Sequence, residues 1–177
     1  HKTPASKSTS LIYALLLFAA AIASYWPALA GTFIWNDTDY VTQPHMRNLE
    51  GLWRIWTDVG STEQYYPLLH SAFWLQHKIW GDWPVGYHLV NIVAHATAAC
   101  LLALLLRRLK IPGAWFAAAL FTLHPICVES VAWIAEQKNT LSTVLYLIAA
   151  LFYFDFEQQG RKVSYWLGFF VFLAAIL

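Results

Sequence analysis

The sequence predicts an all-α integral membrane protein of about five transmembrane helices, with a long outer loop that carries two interfacial amphipathic helices. Three observations point there. Hydrophobic residues make up 59% of the chain and charged residues 12%, too apolar a balance for a water-soluble domain of ordinary usage. The apolar residues fall in blocks long enough to cross a bilayer, which takes about 20 residues of helix. Tryptophan is concentrated: six of the ten lie between residues 31 and 86, and an amphipathic indole finds its best environment at the headgroup level.

The elements follow in chain order. Residues 1–9 form a short basic tail, and 10–30 the first span. Residues 31–86 are the outer loop. A second span covers 87–106, and "RRLKIP" at 107–112 turns the chain back. A third segment, 113–138, joins a short apolar helix to a proline-interrupted outer turn. The fourth span is 139–154, followed by a polar connection at 155–163. The last, 164–177, is incomplete: it is still apolar at Leu177, so the chain reads as the front part of something longer.

Lysine and arginine set the orientation. With the amino terminus cytoplasmic, Lys2, Lys7, Arg107, Arg108, Lys110, Arg161 and Lys162 lie inside, against Arg47, Arg54, Lys78 and Lys138 outside. The net charge of +1 and the lack of any basic cluster larger than "RRLK" exclude nucleic acid as a partner. Cys100 and Cys127 fall near opposite ends of consecutive apolar segments, so a bond between them would have to cross the bilayer; they are read as free thiols used in packing. Spacings of the CxxC kind and glycine-rich phosphate loops are absent from the sequence. No cofactor is predicted, and a metal ion is left open.

Within the outer loop, "NLEGLWRIWTD" fits a short helix with Leu49, Leu52, Trp53 and Trp56 on one face. "PLLHSAFWLQHKIWG" fits a longer one that opens at Pro67 and closes at Gly81. Ahead of both, "GTFIWNDTDYVTQP" places Asp37 and Asp39 just past the first span.

Polar residues at membrane depth are costly and face a bundle interior or a cavity. His88, Asn91 and His95 recur at i, i+3 and i+7 on one face of the second span. Packing across a helix interface accounts for them, and so does ligation of haem or chlorin. The second group, His124, Glu129, Glu136, Lys138 and Asn139, surrounds the proline-interrupted turn. Lys138 and Asn139 at a helix start suit an anionic phosphate. Capping and a surface ion pair explain them equally well.

Four motifs, in order, carry a resemblance: "FIWNDTDYVTQP", "QYYPLLHSAFWLQHKIWG", "GYHLVNIVAHA" and "HPICVESVAWIAEQKNTLS". From about Leu11 to Phe154 the chain resembles the amino-terminal membrane half of bacterial proteins related to the transmembrane and tetratricopeptide-repeat O-mannosyltransferases. Those are GT-C glycosyltransferases, multi-span enzymes that use polyprenyl-phosphate sugars. The family has consecutive acids after the tryptophan, where Asn36 and Thr38 now flank Asp37, and an E-R-K-N pattern in which Gln137 stands for arginine.

The resemblance implies a glycosyltransferase in a bacterial inner membrane, moving a sugar from a lipid-linked donor to an extracytoplasmic hydroxyl. Asp37, helped by Asp39, would accept the hydroxyl's proton. Arg54, His88, His95, His124, Glu129, Lys138 and Asn139 would line the cavity, with the cations steadying the leaving phosphate. Membrane lipids are the other implied partners. The competing reading, favoured by Asn36, Thr38 and Gln137, is a degenerate or truncated relative: a non-catalytic structural subunit among other membrane subunits of a larger complex, holding pigment or haem.

Overall fold

The computed structural model describes residues 7–41 and 43–177, with the backbone alone at Lys7. Lys2 and most of the basic tail lie outside the described residues. Every regular element among the described residues is a helix. Helix α1 spans Lys7–Tyr25. In the outer loop stand α2, Asp37–Val41, α3, Leu49–Thr57, and α4, Pro67–Trp80. Then come α5, Pro84–Arg108, α6, Ala114–Leu123, α7, Val128–Ala132, α8, Gln137–Gln159, and α9, Lys162–Ala175.

Three stretches are long and apolar enough to cross a membrane: Ser8–Ala30, Pro84–Arg108 and Ile134–Gln159. A fourth is the pair Ala114–Leu123 and Pro125–Ala132, bent by 53°. Pro125 causes the bend, since its ring cannot continue the helix behind it. Helix α9 has 14 residues, fewer than the number that crosses the hydrocarbon core. The fourth span also starts earlier and runs longer than the sequence reading placed it. Asp155 near its C-terminal end pairs with Arg108 of α5, which satisfies the acid there, and Gly160 in the left-handed region (φ 64°) terminates the helix.

Helix α5 is the centre of the bundle. It opens with Pro84 in its first turn, where a missing N–H costs nothing. One face of it is small: Ala96, Ala99 and Ala103 have no exposed surface. Small residues let helix backbones approach closely, which is how association is driven when lipid is as apolar as the side chains. Leu17 of α1 and Ala118 of α6 pack against Ala99 and Ala103, and Ala21 and Tyr25 against Ile92, Ala96 and Val131. At the C-terminal end of α5, Arg107 donates to the Ser10 hydroxyl at 2.8 Å, fastening α1 to α5.

The outer loop folds on a core of its own. Tyr40, Val41, Leu69 and Phe73 pack with Tyr87 of α5 and with Ile134 and Ala135, the residues between α7 and α8. Asn48 caps α3, its side-chain oxygen accepting from the Gly51 N–H at 2.6 Å. The apolar faces left outward, Leu49, Trp53 and Trp56 on α3 and Leu75 and Ile79 on α4, are exposed.

Gly51 is fixed by sterics. A Cβ there would stand 2.4 Å from the Met46 carbonyl oxygen. Gly51→Ala is expected to cost about 1–3 kcal/mol through overpacking, seen as a lower unfolding midpoint of the detergent-solubilised protein; an unchanged midpoint would show that the 46–51 turn is not closely packed.

Candidate functional site

The loop and the broken turn meet at one carboxylate. Asp37 is fully buried. Its Oδ2 accepts from the Ile34 N–H at 2.9 Å, closing the local turn, and its Oδ1 accepts from the Ala135 N–H at 2.8 Å, 98 residues away. Burial pushes the Asp37 carboxyl above the usual carboxylate range, opposed by these two N–H groups, by the Trp133 side chain and by His88. Beside it, Trp35 is held in the left-handed region at φ 49°, an uncommon conformation for a bulky residue, with its ring edge-on to Trp133 at 4.8 Å.

Asp39 lies elsewhere. It is exposed and lines a small cavity of about 30 Å³ together with Gln43, Arg47, Trp74 and His77. The two loop acids thus have different surroundings, one buried and one on a small cavity. His70 belongs to the same wall; it is buried and stacks on Tyr40 at 4.9 Å. Burial lowers its basicity, partly offset by the backbone of Gln64 and Tyr40.

Around the first turn of α8 the structure gathers charge. Lys138 pairs with Glu136 at 2.9 Å. Asn139 donates to Glu136 at 2.7 Å and to the Ser130 hydroxyl at 3.0 Å. A larger cavity, about 210 Å³, opens beside them, lined by Tyr66, Lys138, Asn139 and Ser142 and walled by Leu141 and Leu145. Tyr40 closes the group from the loop side: Lys138, Glu63, Tyr66 and Glu136 are all its electrostatic neighbours. Its hydroxyl donates to Gln64 at 2.9 Å, and burial raises its pKa.

The turn that presents Lys138 is braced from behind. Asn91 of α5 donates to the Trp133 carbonyl at 3.0 Å and accepts from the Thr140 hydroxyl at 2.8 Å. Gln76 of α4 donates to Gln137 at 3.2 Å. Gln137 is therefore turned to α4 and does not line the cavity.

The remaining expected site residues are dispersed. His95 donates its Nε2 proton to the Thr122 carbonyl at 3.2 Å, with its ring between Phe121 and Tyr25. His88 is 4% exposed, and a Cβ on Gly31 would stand 3.1 Å from its Nε2. Both imidazoles are enclosed by protein. His124 accepts from the Ile126 N–H at 3.2 Å and so caps the turn after Pro125. Glu129 is exposed on α7, and Arg54 faces Glu50 on α3 at 3.8 Å. Among the described residues no group of three or more His, Cys, Asp or Glu side chains is placed to hold a metal ion. Cys100 and Cys127 are free thiols.

Sequence reasoning missed Tyr40, Glu63, Tyr66 and Gln76. The "EQYYP" stretch before α4 was the available signal, since a polar–aromatic run ahead of an N-terminal proline marks a loop end held against something.

Removing the Asp37 clamp has a local readout. Asp37→Ala strands the buried Ala135 N–H, at about 1–3 kcal/mol. Amide exchange at residues 133–137 should then accelerate while the α5 amides stay protected; unaltered exchange at Ala135 would show that the bond does not hold the turn.

Comparison with known proteins gives one consistent set. Protein O-mannosyl-transferase F38B6.6 of Caenorhabditis elegans is 27% identical over 163 residues, 84% of this chain and 24% of that protein. Protein O-mannosyl-transferase Tmtc1 of Drosophila melanogaster is 37% identical over 123 residues, 68% of this chain and 14% of that one. Protein O-mannosyl-transferase TMTC2 of Homo sapiens is 30% identical over 174 residues, 91% of this chain and 21% of that one. No protein-family model and no solved structure matches. The chain spans a quarter or less of the length of these relatives. Over most of its own length, this chain is a homologue of the protein O-mannosyl-transferases.

Proposed function

We propose that the chain forms the front part of a GT-C-like membrane glycosyltransferase. Its amino terminus is cytoplasmic, and it moves a sugar from a polyprenyl-phosphate donor to a hydroxyl on the extracytoplasmic side. One observation carries this reading. The cavity beside Lys138 and Asn139 joins a polar mouth to an apolar wall of Leu141 and Leu145 on a membrane-spanning helix. That is the profile of a lipid with a charged head. Lys138 supplies charge, Asn139 and Tyr66 supply polar contacts, and the N-terminal end of α8 favours an anion. The exposed apolar residues of α3 and α4 and the exposed Trp26, Trp35 and Trp83 suit a layer at the outer headgroup level, where an incoming acceptor would arrive.

In this reading Asp37 holds the loop on the turn, because each of its oxygens already accepts a backbone N–H and the residue has no exposed surface. The acceptor's proton goes to another carboxylate of the loop. His88 and His95 are packing residues of the bundle.

Lys138→Met in the full protein is expected to weaken binding of a polyprenyl phosphate by at least about tenfold, the worth of a hydrogen bond to a charged group, as read by native mass spectrometry of lipid adducts. A wild-type protein that binds no polyprenyl phosphate would hand the chain to the competing reading, a non-catalytic membrane subunit.

A further inference from the structure

The seam between α8 and α9 carries a groove that the transferase reading leaves without a task, and we propose that it holds an acyl chain of an anionic phospholipid whose headgroup rests on Arg161 and Lys162. The inference stands whether or not the chain transfers sugar.

The groove follows from small residues. Gly168 is buried on α9, and a Cβ there would stand 3.2 Å from the Ala149 carbonyl oxygen and 3.3 Å from the Phe152 Cβ. The two helices therefore meet closely, and Ala149, Ala150 and Gly168 line a hollow of about 330 Å³ at the contact. That volume falls in the range of about 300–1,000 Å³ that holds small ligands. At one end the rings of Tyr146 and Phe172 stand 6.3 Å apart. At the other, Tyr153 and Tyr165 pack on Phe156, at 6.2 and 5.2 Å. From Tyr146 to Tyr153 the helix rises about 10 Å.

The position of the groove narrows the occupant. It runs along a helix long and apolar enough to cross a membrane, and Tyr146 and Tyr153 on its wall are 57% and 56% exposed. Another helix fits it poorly. With its side chains a helix is about 10–12 Å across, and the Tyr146 and Phe172 rings, 6.3 Å apart, would hold it off the floor. A single hydrocarbon chain is slender enough to lie there.

Charge decides which lipid. Arg161 and Lys162 open α9, four and three residues ahead of Tyr165, so they share its face one turn beyond the groove. Both are exposed, and among the described residues neither pairs with a carboxylate. The acids at this end of the bundle are Asp155, which Arg108 already neutralises, and the exposed Glu157. Arg107 and Lys110, at the end of α5, add to the basic side. The balance favours an anionic headgroup. Tyr153 and Tyr165 lie between the cations and the apolar floor, the level at which an amphipathic ring has its best environment.

The test is native mass spectrometry of the full protein in detergent, mixed with phosphatidylglycerol or phosphatidylcholine of identical acyl chains. Phosphatidylglycerol should be retained preferentially, by about tenfold or more. Arg161→Gln combined with Lys162→Gln should lower its retention to that of phosphatidylcholine; both residues are exposed, so the core is undisturbed. Ala150→Trp should lower retention of both lipids, because Ala150 is partly exposed and the larger ring enters the groove without altering charge. Equal retention of the two lipids by the wild type would overturn the proposal, as would a phosphatidylglycerol preference that survives both variants. A wild-type dimer that retains neither lipid and is broken by Ala150→Trp would assign the groove to a second copy of the chain instead.

Discussion

A single charge-assisted hydrogen bond, Asp37 Oδ1 to the Ala135 N–H, sets the layout of the outer half of this protein. The need for it arises in the membrane. Where a helix breaks near the hydrocarbon boundary, its free backbone donors must find acceptors. The chain breaks at Pro125 and again between Ala132 and Gln137. His124 satisfies one donor locally. Ala135 turns to a carboxylate almost a hundred residues away, and a carboxylate is the strongest neutraliser of a buried N–H that a side chain offers. The cost is burial of a charge, which is why the Asp37 carboxyl titrates above its ordinary range. In return the loop is fixed to the turn, and with it Trp35 to Trp133 and Tyr40 to the neighbourhood of Lys138.

Behind that bond, the same economy of polar groups repeats. Asn91 is fully buried on α5, yet it meets both the Trp133 carbonyl and the Thr140 hydroxyl. Gln76 and Gln137 share a bond between α4 and α8. Each contact joins two elements that apolar packing alone would let slide, because contacts between apolar side chains and lipid tails cost about the same in any register. The polar residues thus specify the register, and the alanine face of α5 supplies the close approach.

How much of this was legible in the sequence follows from the same physics. Two helices of the loop, α3 and α4, could be read because apolar spacing, Pro67 and Gly81 are local signals, whereas the short α2 was not read. The break at Pro125 was equally local. The clamp was not legible as a clamp: "ND" after "FIW" marks an acid near a span, and nothing in the letters distinguishes a carboxylate offered to substrate from one offered to Ala135. Gln137 read only as a departure from the family's arginine, and it is the partner of Gln76, a residue 61 positions away. His88 and His95 were legible as one face, and only tertiary packing decides what that face meets.

The charge balance at the head of α8 follows from the same rule. A cation at this depth without a partner would be costly, and Glu136, two residues before Lys138, supplies one at 2.9 Å. The same Glu136 also accepts from Asn139, so one carboxylate answers both the cation and the amide at the head of α8. Neutralisation is thus achieved within a single turn, by residues that are neighbours in sequence. Glu136 sits next to the Ala135 N–H held by Asp37. Three consecutive residues, Ala135, Glu136 and Gln137, therefore tie this turn to the loop, to the cation and to α4 in turn.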